Sequence, residues 1–104
     1  MTDLLTRIKA LLSGSTHDLD HIERTLTDGY ARALSLEAER WRLEKRVTTL
    51  TQGIQRGDTA KKARELAEIA EQLDGNADDL RTLRVVLSDL RRHAASVRVG
   101  SPSR

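Results

Sequence analysis

Thr51-Gln52-Gly53-Ile54-Gln55-Arg56-Gly57-Asp58-Thr59-Ala60-Lys61-Lys62 sits at the middle of the chain, with two glycines and an Asp-Thr pair between two long periodic segments. Gly57 suits the left-handed position that follows a helix end, where a side chain would be strained. Asp58 or Thr59 suits the N-cap of the next helix, because a short side-chain oxygen can accept a hydrogen bond from a free first-turn N–H. The stretch therefore reads as a turn that ends one helix and starts another.

The segments on either side fix what those helices do. Upstream, Leu19, Ile22, Leu26, Gly29, Ala33, Leu36, Arg40, Leu43, Val47, Leu50 and Ile54 alternate spacings of three and four, which is the a/d seam of a coiled coil. Downstream, Leu66, Ile69, Leu73, Asn76, Leu80, Leu83, Leu87, Leu90, Ala94 and Val97 repeat the pattern. Each arm of about 40 residues would be about 60 Å long at the helical rise of about 1.5 Å per residue. The predicted fold class is all-α: a short amphipathic helix over 1–13, a long antiparallel helical hairpin over 14–98 with its turn near 53–59, and a disordered tail over 99–104.

An antiparallel pair must match a positions on one arm with d positions on the other. If paired numbers sum to about 116, Leu19 meets Val97, Leu26 meets Leu90, Leu36 meets Leu80, Leu43 meets Leu73 and Leu50 meets Leu66. The same register sets Arg40 opposite Asn76, so the two strongly polar seam residues are expected to share one layer that fixes alignment. Charge agrees along most of the pair. Glu65, Glu68, Glu71 and Asp74 face a segment with Arg40, Arg42, Lys45 and Arg46, and Asp18, Asp20, Glu23 and Asp28 face Arg81, Arg84, Arg91, Arg92 and Arg98. Glu37 and Glu39 near Asp78 and Asp79 disagree. Exposed pairs contribute about 0.2–1 kcal/mol each, so these blocks select orientation more than they stabilise. Leu73-Asp-Gly-Asn-Ala-Asp-Asp79 offers a second reading, in which Gly75 ends one helix and Asn76 caps another. The unbroken heptad phase favours one continuous helix.

Composition limits the alternatives. The chain has 104 residues, 38% of them hydrophobic and 33% charged, with one proline, one Trp, one Tyr and no Phe, so one helical domain without a large aromatic core is expected. It has no cysteine, which excludes disulfides, thiolate metal sites and thiol catalysis in this sequence. The first nine residues are interrupted by Asp3, Arg7 and Lys9 and lack the apolar run of a secretory signal. A cytoplasmic location is expected. No run approaches the roughly 20 apolar residues of a membrane span. Leu4, Leu5, Ile8, Leu11 and Leu12 form the apolar stripe of the first helix, whose only cations are Arg7 and Lys9, so residues 4–12 are a poor membrane-surface anchor. Ser13-Gly14-Ser15 ends this helix, and Ser15-Thr-His-Asp18 reads as a capping box with Asp in place of Glu.

Apolar residues outside the seam point to an interaction surface. Tyr30, Leu34 and Trp41 fall at e and b positions of the first arm, and Ala60, Ala63, Ala67, Ala70 and Ala77 at e and b positions of the second. Small residues there would let another helix approach closely. Folded back from Gly14, the first helix spans about 16 Å and reaches the level of about Thr27, short of Trp41. Tyr30, Leu34, Trp41, Ala63, Ala67, Ala70 and Ala77 are therefore the expected protein interface, with a second copy of the chain as the expected partner and another helical protein as the alternative. Single exposed aromatics and alanines are also ordinary in helices, which is the competing reading.

Sites for chemistry are sparse. His17 and His21 have the i, i+4 spacing of a helical metal site with His93 near their level, but His21 falls at c and His93 at g, so they diverge. No catalytic arrangement of Ser, His and Asp and no Gly-rich phosphate loop is present, and neither an enzyme nor a cofactor is expected. Arg56, Lys61, Lys62 and Arg64 at the tip, over residues 56–64, could touch a nucleic-acid backbone. With the charged segment Leu36-Glu-Ala-Glu-Arg-Trp-Arg-Leu43, this tip resembles the helical-hairpin arm of seryl-tRNA synthetases, and the likeness covers only generic coiled-coil residues with no catalytic domain beside them. The expected function is a non-enzymatic, self-associating interaction or scaffolding module, with a nucleic-acid-binding hairpin as the alternative.

Overall fold

A computed structural model describes residues 2–13, 18–54 and 57–100. They form three helices, α1 (Thr2–Ser13), α2 (Leu19–Ile54) and α3 (Thr59–Gly100), and no strand occurs among the described residues. The all-α helical hairpin preceded by a short helix is thus the observed architecture. Asp18 starts α2: its Oδ1 accepts the His21 N–H at 3.1 Å and its carbonyl accepts the Ile22 N–H at 3.0 Å. This differs from the capping box expected at Ser15, which lies outside the described residues. Asp18 can serve because its own carboxylate reaches the third N–H of the helix.

At the turn, Gly57 takes φ 105° and Asp58 φ 56°, and α3 opens with the Lys62 N–H on the Asp58 carbonyl at 3.2 Å. Aspartate tolerates this left-handed backbone better than most residues. Helix α3 then continues through Gly75 and Asn76 without a break, because Gly75 is exposed and its neighbours hold the heptad phase. Val99 and Gly100, expected in the tail, belong to the end of α3, while residues 101–104 lie outside the described residues.

The chain divides into two compact units. Unit 1 comprises residues up to Leu34 together with those from Arg81 onward, so it contains α1, the first part of α2 and the last part of α3. Its core is filled by Ile8, Ile22, Leu26, Leu83, Leu87, Leu90, Ala94 and Val97. Gly29 and Leu87, partners in the expected register, touch so closely that an added Cβ at Gly29 would lie 3.2 Å from Leu87 Cγ and overlap its methyl. Helix α1 folds back here: Arg7 Nη2 reaches Asp28 Oδ2 at 2.5 Å and Thr25 Oγ1 at 3.5 Å. Thr25 and Val86 occupy g positions, which share one side of an antiparallel pair; both are buried, and Arg7 of α1 reaches over Thr25. The Thr25 hydroxyl, donating to the His21 carbonyl at 2.9 Å, needs no further acceptor. Across the e side, Arg98 Nη2 meets Glu23 Oε1 at 2.5 Å.

Unit 2, Ser35–Leu80, has two helical segments among its described residues. Leu36, Leu50, Ile69 and Leu80 are buried, while Leu43, Val47, Leu66 and Leu73 at the same seam are half-buried. Arg46 Nη2 pairs with Glu65 Oε2 at 3.1 Å, as the charge blocks suggested. The expected Arg40–Asn76 layer is not formed. Asn76 is buried and its Nδ2 donates to the Leu36 carbonyl at 2.8 Å, whereas Arg40 turns outward to Glu44, Nε to Oε1 3.0 Å. Desolvating a guanidinium costs several kcal/mol unless it is paired, and arginine's long stem lets the charge reach water. The short amide has no such exit, and its Nδ2 finds an acceptor in a backbone carbonyl of the facing helix.

Candidate interaction surfaces

Trp41 projects from the middle of the unit 2 segment of α2, at a position facing away from the seam. Its side chain remains 61% exposed, and the Lys45 ammonium, one turn further along, lies 4.3 Å from the ring centroid. A cation over an indole face contributes about 0.5–1 kcal/mol at an exposed site, so Lys45 shields one face of the ring without burying it. On α3 of the same unit Ala63, Ala67 and Ala70 are exposed and Ala77 is half-buried. Glu37 and Glu44, one turn to either side of Trp41, and Asp74 on α3 are exposed acidic neighbours in this unit.

The remaining expected interface residues belong to unit 1, where Leu34 is 68% and Tyr30 41% exposed. Tyr30 forms one wall of a groove of about 490 Å³ that sequence reasoning missed. Leu26 and Ala94, both buried, lie beneath it, and Arg91, Arg92 and Arg98 line it. A signal existed: Arg84, Arg91 and Arg98 recur at intervals of seven along one face of α3. What the sequence does not show is the hollow beside them. Small side chains at Ser88, Ala94 and Ala95 leave it open.

The basic tip is reduced by its own structure. Lys62 Nζ donates to the Gly53 carbonyl at 2.6 Å, one of the acceptors that the end of α2 leaves without a helical partner, and to the Gly57 carbonyl of the turn at 3.2 Å. Lys61 and Arg64 are exposed, and Arg56 lies outside the described residues. A cleft of about 470 Å³ next to the turn is lined by Arg46, Lys61 and Lys62 but also by Asp58 and Glu65, which nearly balance its charge. His17 lies outside the described residues, His21 and His93 are half-buried, and no group of three or more His, Cys, Asp or Glu side chains could hold a metal ion among the described residues. No described helix is long and apolar enough to cross a membrane.

No protein-family model matches the chain, and neither a curated protein nor a solved structure does.

Proposed function

We propose that the chain is a non-enzymatic coiled-coil interaction module that self-associates through the surface carrying Trp41. The observation that carries this reading is the indole itself, 61% exposed in a unit that, among the described residues, consists of two helical segments. Tryptophan is the residue type most often found at the energetic centre of interfaces, because it combines large apolar area with few torsions to freeze. Exposed Ala63, Ala67 and Ala70 add surface over which a partner helix meets no bulky side chain. A standard interface removes roughly 800 Å² per partner, about a ninth of the 7237 Å² this chain exposes. Burying Trp41 and the apolar atoms around it from two copies is worth on the order of 10 kcal/mol before association costs are subtracted, enough for a dimer at micromolar concentration.

Sedimentation of the purified chain at micromolar concentration tests the reading. A dimer is expected for the native sequence, whose Trp41 emission shifts to the red on dilution to monomer as the indole returns to water, and a helical monomer for Trp41→Glu. A native chain that sediments as a monomer defeats the proposal. Salt separates it from a phosphate-directed tip: an apolar interface responds little to ionic strength, whereas binding of a nucleic acid by Lys61 and Arg64 would weaken steeply.

A further inference from the structure

We infer that the Tyr30 groove of unit 1 docks a short amphipathic helix of another protein, one that carries an apolar anchor with a carboxylate beside it. The inference stands apart from self-association through Trp41, since every residue it uses lies in unit 1. Unit 1 already holds one helix of this kind. Helix α1, of 12 residues, is seated on the other two by the buried Ile8 and Leu11, three residues apart, and by the Arg7–Asp28 ion pair of 2.5 Å. Arg7 reaches Thr25 on the g side of the seam, whereas Tyr30 and Arg91 occupy e positions on the opposite side. That side is open. Tyr30 is 41% exposed, Leu34 one turn further along is 68% exposed, and the groove runs over the buried Leu26 and Ala94. Its volume of about 490 Å³ falls within the range of roughly 300–1,000 Å³ over which protein pockets enclose ligands, room for one anchoring side chain and the carboxylate next to it.

The charge of the rim selects a carboxylate. On the e side α2 carries Glu23 and Tyr30 seven residues apart, and α3 carries Arg98 and Arg91 at the same interval. Glu23 takes Arg98, Oε1 to Nη2 2.5 Å. One heptad on, a tyrosine stands where the first position has a glutamate, and Arg91 makes no ion pair or hydrogen bond among the described residues. Arg92, the third arginine of the rim, is paired with Asp89. The groove therefore presents one guanidinium without a carboxylate and two that already have one. A nucleic-acid backbone brings a row of phosphates, and Glu23 and Asp89 would repel it while competing for the same arginines. A single helix-borne carboxylate meets Arg91 as Glu23 meets Arg98. The planar guanidinium can bind it through two parallel hydrogen bonds, which sets the orientation of the incoming helix. An apolar side chain three or four residues from that carboxylate lies on the same helix face, where it can enter the groove against Tyr30.

Titrating the full chain into two labelled synthetic peptides, read by fluorescence anisotropy, tests this. Both are about 16 residues long, enough for an isolated helix to form, with leucines at i, i+4 and i+7 on one face. One places glutamates beside the leucines and the other places lysines there. The native chain is expected to bind the glutamate helix about tenfold more tightly than the lysine helix. Arg91→Glu should invert that preference. Ala95→Trp, which fills the groove without changing its charge, should weaken the glutamate helix about tenfold. Both substitutions lie at exposed helix positions, and circular dichroism and melting curves are expected to match the native chain. A proline at the centre of the glutamate helix keeps its charge and breaks its shape, and should abolish binding. The inference is overturned if the native chain binds neither helix or both equally, if Arg91→Glu or Ala95→Trp changes nothing, or if the proline peptide binds as well as the helix. Single-stranded oligo-dT that binds more tightly than the glutamate helix, and is lost with Arg91→Glu, assigns the groove to a phosphate backbone instead. A native dimer that dissociates on Arg91→Glu assigns it to a second copy of the chain. A dimer that survives Arg91→Glu while the peptide preference inverts supports both the groove and the separate Trp41 surface.

Discussion

Unit 1 and unit 2 are made from the same two helices and the same heptad seam, yet they bury that seam to different depths. In unit 1 the seam residues from Leu83 to Val97 are buried without exception among Leu83, Leu87, Leu90, Ala94 and Val97. In unit 2 burial alternates with partial exposure, as at Leu43, Val47, Leu66 and Leu73. The difference comes from α1. A third helix adds Ile8 and Leu11 to the core and sets Arg7 over the buried Thr25, turning a stripe into an interior. A two-helix pair has only one shared stripe, so Leu36, Leu50, Ile69 and Leu80 are buried while Leu43, Val47, Leu66 and Leu73 keep part of their surface in water. Coiled-coil periodicity therefore specifies pairing in both units but a closed core in only one.

The sharpest way to break this comparison is to truncate one seam leucine in each unit. Leu83→Ala empties a fully buried site in unit 1, and large-to-small changes of that kind cost about 2–5 kcal/mol. Leu43→Ala removes a half-buried side chain in unit 2 and should cost about 1–2 kcal/mol, since less apolar area returns to water and the site can collapse. Chemical denaturation of both variants at one concentration checks the order. Equal losses would mean that unit 2 is as well closed as unit 1 and would remove the physical reason for Trp41 to seek a partner.

The seam, the turn and the orientation of the arms could be read from residue spacing because each is a property of periodic positions. Gly29 against Leu87, Arg46 with Glu65 and Glu23 with Arg98 all fit the register inferred from numbering alone. The places where spacing misled are those where a side chain's length decides the outcome. Arg40 and Asn76 share a layer on paper, but arginine is long enough to leave it and asparagine is not. Lys62 resembles a free cation of the tip, yet its four-carbon stem reaches back to the Gly53 and Gly57 carbonyls. The groove at Tyr30 depends on side chains from two helices leaving a space together, which no single-helix pattern describes.

The polar position of unit 2 gives the next effect in size. Asn76 Oδ1 is buried and has no hydrogen-bond partner, so the residue stabilises through Nδ2 alone while part of its amide is desolvated without return. Leaving such an atom unsatisfied costs about 1–3 kcal/mol, and leucine at a seam position carries no such cost. Asn76→Leu should raise stability by about 1–2 kcal/mol and permit alternative registers or oligomers, read by thermal melting together with sedimentation. Arg40→Gln should change stability by less than about 0.5 kcal/mol, because that side chain already lies outside the seam. If Arg40→Gln proves the more costly of the two, the outward pose of Arg40 is wrong and the shared polar layer returns.

The smallest effect separates the units most cleanly, because it uses one chemical change with opposite signs. Gly75→Ala lies on exposed helix in unit 2 with nothing within 4 Å of the added Cβ. Alanine there removes the conformational freedom glycine contributes to the unfolded chain, so the variant should gain about 0.5–1 kcal/mol. Gly29→Ala receives the same helical gain in unit 1, but its methyl overlaps the buried Leu87 side chain. Forcing extra volume into a packed core costs about 1–3 kcal/mol, since Leu87 is enclosed and can move only by displacing its neighbours. The two terms leave a net loss on the order of 1 kcal/mol. Paired melting curves of the two variants measure the contrast directly. A gain from Gly29→Ala comparable to that from Gly75→Ala would show that the seam of unit 1 yields as readily as that of unit 2 and that α1 does not close its core.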